Sequence, residues 1–126
     1  MLDQELKRVT ESLQSLRVGK IFDEYELQAK IAAQFDKKKI PYNKEHQLGR
    51  GSRVDFLTES GIAVEVKKGK PNRTQLVEQI ERYAKFEEVK AVVIVVETSL
   101  RVPIELPRSS KPCKVIGLQK LWGIAL

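Results

Sequence analysis

The sequence predicts an α/β domain, a mixed β-sheet flanked by helices, and three observations carry that reading. Apolar residues recur at helical spacing near the N-terminus and again after Asn72. Between these regions the stretch "RVDFLTESGIAVEVKK" (53–68) alternates at strand spacing. Beyond them "AVVIVV" (91–96) is apolar on both faces, as a strand covered by helices on both sides would be. The chain has 126 residues, 41% of them apolar and 32% charged, enough for one core. No repeat, low-complexity segment or Pro/Gly/Ser-rich linker divides it, so a single domain over 1–126 is expected.

Taken in order, Leu2, Leu6, Val9, Leu13 and Leu16 recur at three or four and predict an amphipathic helix. A second helix is expected after Gly19, with Leu27, Ile31 and Phe35 as its apolar stripe. Glu24, three residues before Leu27, falls on that stripe and should point inward, whereas Glu26 and Lys30 fall off it. Three strands follow, "IPYNKEHQL", "RVDFLT" and "IAVEVKK", separated by the turn-rich "GRGS" and "ESG". Asn72 is a good N-cap, and Gln75 three residues later completes a capping-box-like pattern before Leu76, Ile80, Tyr83 and Ala84. "AVVIVVE" reads as a central strand. The segment with Pro103, Pro107 and Pro112 reads as loop until a last strand, "CKVIGL", and a closing "QKLWGIAL".

The central hairpin contains charges that need explaining. If Val54, Phe56, Ile62, Val64 and Val66 enter one core, Val54 must face Val66 and Phe56 must face Val64, since a one-residue slip inverts a strand. That register leaves a three-residue loop, Glu59-Ser60-Gly61, with glycine where a left-handed residue is wanted. It also sets Asp55 opposite Glu65 and Arg53 opposite Lys67. Two facing carboxylates repel unless a cation sits between them, and paired hard oxygen donors suit Mg²⁺ or Mn²⁺. Lys67 shares the face of Glu65 and can reach an ion's water or a bound phosphate. Glu24 is a candidate third carboxylate, and Glu45, on the preceding strand, a further one.

Charge is unevenly spread. Between Lys37 and Arg73 there are ten basic residues against four acids, while the rest of the chain holds thirteen of each. The whole formal excess of +6 therefore surrounds the hairpin, where it would attract a polyanion such as nucleic acid.

Asp55 followed by Glu65-Val66-Lys67 resembles the D-x(n)-(D/E)-x-K core of the PD-(D/E)XK nuclease superfamily, and "QIERY" (79–83) is similar to the QxxxY element of its RecB-type members. The resemblance runs from about Asp23 to Glu97. Val54 stands where many members have proline, and when the second helix is aligned with archaeal Holliday-junction resolvases, Gln28 can take the place of their helical acid, with Glu24 one turn earlier. The resemblance implies a restriction-endonuclease-like fold and a Mg²⁺- or Mn²⁺-dependent deoxyribonuclease, expected to be an endonuclease and structure-specific in the manner of a junction resolvase. It implies that Asp55, Glu65, the Val66 carbonyl and Glu24 hold the ion, and that Lys67 orients or deprotonates the attacking water. Gln79 and Tyr83 would support the metal shell or touch a backbone phosphate. Arg50, Arg53, Lys68, Lys70, Arg73 and Tyr83 would contact DNA. The N-terminal helix (about 1–20) would be peripheral to this core and available to a homodimer. The alternative is a noncatalytic nuclease-fold module for DNA binding or assembly.

Other chemistries lack their residues. One Cys (Cys113) and one His (His46) do not make a structural zinc site. "GKP" at 69–71 fails as a phosphate-binding loop, so no nucleotide cofactor is expected. A serine triad would depend wholly on His46. No apolar run approaches the roughly 20 residues of a membrane helix. The N-terminal stretch mixes acids and bases where a signal peptide would be apolar, and the lone cysteine can form no internal disulfide, so an intracellular, cytoplasmic location is expected.

Overall fold

The computed structural model describes residues 2–18, 23–49, 51–68, 72–96 and 111–120. The elements follow the order α1 (Leu2–Gln14), β1 (Arg17–Val18), α2 (Glu24–Lys37), β2 (Tyr42–Gly49), β3 (Ser52–Thr58), β4 (Ile62–Lys67), α3 (Arg73–Ala84), β5 (Ala91–Val96), β6 (Cys113–Gly117) and β7 (Gln119–Lys120). The main sheet has the order β2-β3-β4-β5-β6. Its first three strands are antiparallel and β4, β5 and β6 are parallel, which makes it the mixed sheet that the sequence predicts. The short parallel pair of β1 with β7 was not legible, since two residues carry no periodicity.

Each face of the sheet has its own core. On one side Leu6, Val9 and Leu13 of α1 and Leu27, Ile31 and Phe35 of α2 pack against Phe56, Ile62, Val64, Val66, Ala91, Val93 and Val95. On the other side Leu76, Ile80 and Tyr83 of α3 pack against Val54, Leu57, Ala63, Val92, Ile94 and Val96. The unbroken apolar run of β5 is thus explained, because alternate residues enter opposite cores and each fully buried Val or Ile is worth roughly 1.5–3 kcal/mol. Phe56 meets Phe35 and Tyr42 edge-on at centroid distances of 5.6 and 5.4 Å, which ties α2 to β2 and β3.

Two expectations are corrected here. The N-terminal helix is not peripheral: Val9 and Leu13 are fully buried, and the Arg8 guanidinium donates to the carbonyls of Lys38 and Lys39 at 2.7 and 3.0 Å, fastening α1 to the end of α2. Its apolar face is therefore already covered. Val54 does not share a core with Phe56 and Val66 but packs beneath α3. The reason is local. β3 and β4 pair as predicted at Phe56–Val64 and Leu57–Ala63, and the ladder stops there, at Asp55 and Glu65.

The hairpin turn matches its prediction. Gly61 adopts φ 92°, and its amide donates to the Thr58 carbonyl at 2.9 Å. A β-carbon there would lie 2.9 Å from the Glu88 carbonyl oxygen, so glycine is needed for both conformation and space. Among the described residues no helix is long and apolar enough to cross a membrane.

Candidate active site

Where the β3–β4 ladder stops, side chains replace it. The Val66 amide donates to Asp55 Oδ2 at 2.8 Å, and the Asp55 amide donates to Glu65 Oε1 at 3.1 Å. Each carboxylate accepts from the opposite strand, so the two acids are held face to face by the backbone itself. A paired strand would have used those amides for carbonyls.

Glu65 occupies a position on the α3 side of β4 where Ala63, two residues earlier, is core, and it is only 6% exposed. A buried carboxylate needs partners. Gln79 Nε2 donates to Glu65 Oε2 at 2.7 Å, and the Tyr83 hydroxyl lies 3.1 Å from that oxygen and 3.1 Å from the Arg53 carbonyl. Gln79 Nε2 also lies 3.0 Å from the Tyr83 oxygen. Residues 79 and 83 are one turn apart on α3 and reach the same strand position together. Lys67 Nζ stands 3.5 Å from Glu65 Oε2, on the same face two residues further along β4.

The electrostatics follow from this crowding. Burial first, and then the neighbouring charge of Glu65, push the Asp55 carboxyl up to about 7; the Val66 amide opposes the shift and Glu24 adds to it. Burial and the charge of Glu65 also hold the Tyr83 phenol above its ordinary range, so Tyr83 stays a donor.

Glu24 is exposed, not inward-pointing. Asp23 caps α2 by accepting from the Glu26 amide at 2.8 Å, which makes Glu24 the first helical residue, beyond the part of the helix that covers the core. From there Glu24 Oε1 accepts from the Lys68 amide at 3.4 Å. Gln28, one turn on, is buried, and its Oε1 has no hydrogen-bond partner among the described residues. Glu45 is exposed and takes φ 51° at the register position opposite Asp55, between the pairs Lys44–Phe56 and His46–Val54.

Of the residues expected to contact nucleic acid, Arg53, Lys68 and Arg73 are exposed around this site, and Arg50 and Lys70 lie outside the described residues. Tyr83 is corrected: at 3% exposed it cannot meet a macromolecule and instead positions Glu65. Gln75 and Arg82 were missed. They line a recess of about 370 Å³ that also includes Lys67 and Gln79. Their spacing from Gln79, one turn on either side, was the available signal. A larger recess of about 430 Å³ lies at the other end of the sheet, beside the Glu59–Ser60 turn and Arg8, and is remote from the carboxylates.

The donor set fits a divalent cation in part. Asp55 and Glu65 keep unused lone pairs, and their mutual repulsion is what a hard cation would relieve. Among the described residues no group of three or more Asp, Glu, His or Cys side chains is gathered into a metal-holding cluster, so remaining ligands would come from backbone carbonyl, water or substrate oxygen.

No family model matches this chain, and no curated protein or solved structure matches it. Its class is therefore defined by fold and site: an α/β domain whose mixed sheet opens around an acidic pair, Glu65 buried and Asp55 half-buried, with a lysine beside it.

Proposed function

We propose that the protein is a metal-dependent deoxyribonuclease of restriction-endonuclease-like fold, an endonuclease that hydrolyses DNA phosphodiester bonds and selects branched structures such as four-way junctions. The observation that carries this reading is the Asp55–Glu65 pair, fixed by opposing amides, with Lys67 Nζ 3.5 Å from Glu65. An acidic pair this closely held is unfavourable as plain structure and suits a cation at a phosphate-cleaving site.

Asp55, Glu65 and the Val66 carbonyl would hold Mg²⁺ or Mn²⁺, with Glu24 acting at the rim through water. Bound there, the ion would acidify a water molecule and offset charge developing on the phosphoryl oxygens. The chain's own residues do the positioning. Gln79 and Tyr83 fix the rotamer of Glu65, so that its remaining lone pair is directed rather than averaged. Lys67 orients the attacking water or takes its proton, and its ammonium form stabilises negative charge at the phosphate. Arg53, Lys68 and Arg73 attract and position the DNA backbone, which gives affinity without reading sequence. A homodimer that cuts both strands would have to pair through surfaces other than the apolar face of α1, which is buried.

The test is cleavage of labelled duplex, single strand, flap, four-way junction and RNA with Mg²⁺, Mn²⁺ or EDTA. Wild type is compared with Glu65→Ala and Lys67→Ala. Metal-dependent cutting that both substitutions abolish is the expected result. If all three proteins bind and none cuts, the noncatalytic module is the correct reading.

A further inference from the structure

The recess beside Lys67 runs along α3. Gln75, Gln79 and Arg82 lie at i, i+4 and i+7 on one stripe of that helix, spanning about 10 Å at 1.5 Å per residue. Gln79 is shared with the acidic pair through its bond to Glu65, so the recess is continuous with the candidate active site. Its lining is rich in donors. Arg82 is exposed and has no ion-pair partner among the described residues. Asn72 uses its side-chain oxygen to accept from the Gln75 amide at 3.0 Å, which leaves its amide nitrogen as a donor. Glu78 is the one acid of the lining among the described residues.

Donors of this kind along one edge match a ligand that offers only acceptors and a repeating negative charge. A guanidinium forms two parallel bonds to a phosphate, and carboxamides add bonds to phosphate or sugar oxygen. An apolar ligand would leave these groups unpaired. The length of the stripe corresponds to roughly three stacked nucleotides at 3.4 Å each.

We infer that the α3 groove is a subsite for the sugar–phosphate backbone of the cleaved strand, with Arg82 gripping a phosphate a few nucleotides from the scissile one and Gln75 and Asn72 bonding the backbone between. This rests on the nuclease reading, which places the scissile phosphate at Asp55 and Glu65.

Binding of the 126-residue chain to a fluorescent oligonucleotide, measured in EDTA across a salt series, tests it. Arg82→Ala should weaken binding about tenfold and lower the slope of log K against log salt by roughly 0.7–0.9, the signature of one lost phosphate contact. Lys7→Ala, an equal charge change on the outer face of α1, should leave the slope unaltered. In Mg²⁺, Arg82→Ala should raise KM with kcat kept. An unchanged slope for Arg82→Ala in a protein that binds and cuts would overturn the subsite and leave the nuclease reading standing. A lowered slope in a protein that never cuts would support a backbone groove and sink the nuclease reading alone. Failure of wild type to bind any oligonucleotide would overturn both.

Discussion

Asp55→Asn should stabilise the metal-free protein at alkaline pH while removing the proposed cleavage activity. The Asp55 carboxyl is pushed from an ordinary 3.8 to about 7 by burial and by Glu65, so the folded chain holds a proton that the unfolded chain has released. Its stabilising share is present in full below pH 3.8 and is lost as pH rises through 7. About three pH units at 1.36 kcal/mol each give roughly 4 kcal/mol. Asp55 is partly open to solvent, and screening reduces this to about 2–3 kcal/mol. Asparagine keeps a carbonyl oxygen for the Val66 amide and offers Glu65 an N–H donor, as the protonated acid would. Urea denaturation in EDTA is the assay. At pH 8 the variant should exceed wild type by about 2–3 kcal/mol, and at pH 4.5 the gap should shrink below about 1 kcal/mol. Added Mg²⁺ should then stabilise wild type and not the variant. A gap independent of pH, or a variant less stable than wild type at pH 8, would refute the placement of a proton on this pair.

Four further substitutions probe separate parts of the structure. Tyr83→Phe removes the hydroxyl from Glu65 and the Arg53 carbonyl and should lower stability by about 1–3 kcal/mol in urea, with a larger loss in kcat than in KM. Gly61→Ala should cost about 2 kcal/mol or more in the same assay, since φ is 92° and the new carbon would press on the Glu88 carbonyl. Gln28→Leu removes a buried oxygen that has no partner among the described residues and should raise the thermal midpoint, by about 1 kcal/mol in stability; cleavage lost in this variant would make Gln28 the helical member of the site. Glu45→Gly relieves a left-handed residue and should be neutral or stabilising by up to about 1 kcal/mol, and unchanged cleavage would exclude Glu45 as a ligand.

The parts that were legible in sequence are those governed by periodicity and turn chemistry. The stripe of α2, the Asn72 cap, the Gly61 turn and the doubly buried β5 each follow from local rules, and Asp55 faces Glu65 because the register follows from Gly61 and the apolar alternation. Strict alternation failed at Val54, because Asp55 and Glu65 draw the opposing amides to their side chains and end the ladder. Spacing placed Glu24 on the apolar stripe, but a stripe buries a residue only where the sheet lies beneath it, and the cap at Asp23 puts Glu24 past that edge. Spacing places Tyr83 on the apolar stripe of α3, and the structure buries it there; its contact with nucleic acid was implied by the resemblance alone, which carries no information on depth.

The break in the sheet is what connects fold to chemistry. Along the row Glu45–Asp55–Glu65, neither adjacent ladder keeps its pair, although the register is intact on both sides of Asp55 in β2 and up to Phe56 in β4. Interrupted pairing inside a sheet leaves amides that must find acceptors, and here the two acids provide them. Amides and carboxylates are therefore interdependent: removing either acid orphans a backbone donor, and closing the ladder would displace the acids from one another. A sheet selected for stability alone would place a valine pair in this row, as β4 and β5 do at Val64 and Val93. Holding a half-buried Asp55 against a buried Glu65, with Gln79 and Tyr83 behind Glu65 and Lys67 beside it, adds nothing to the apolar core and matches the proposed cation and phosphate site.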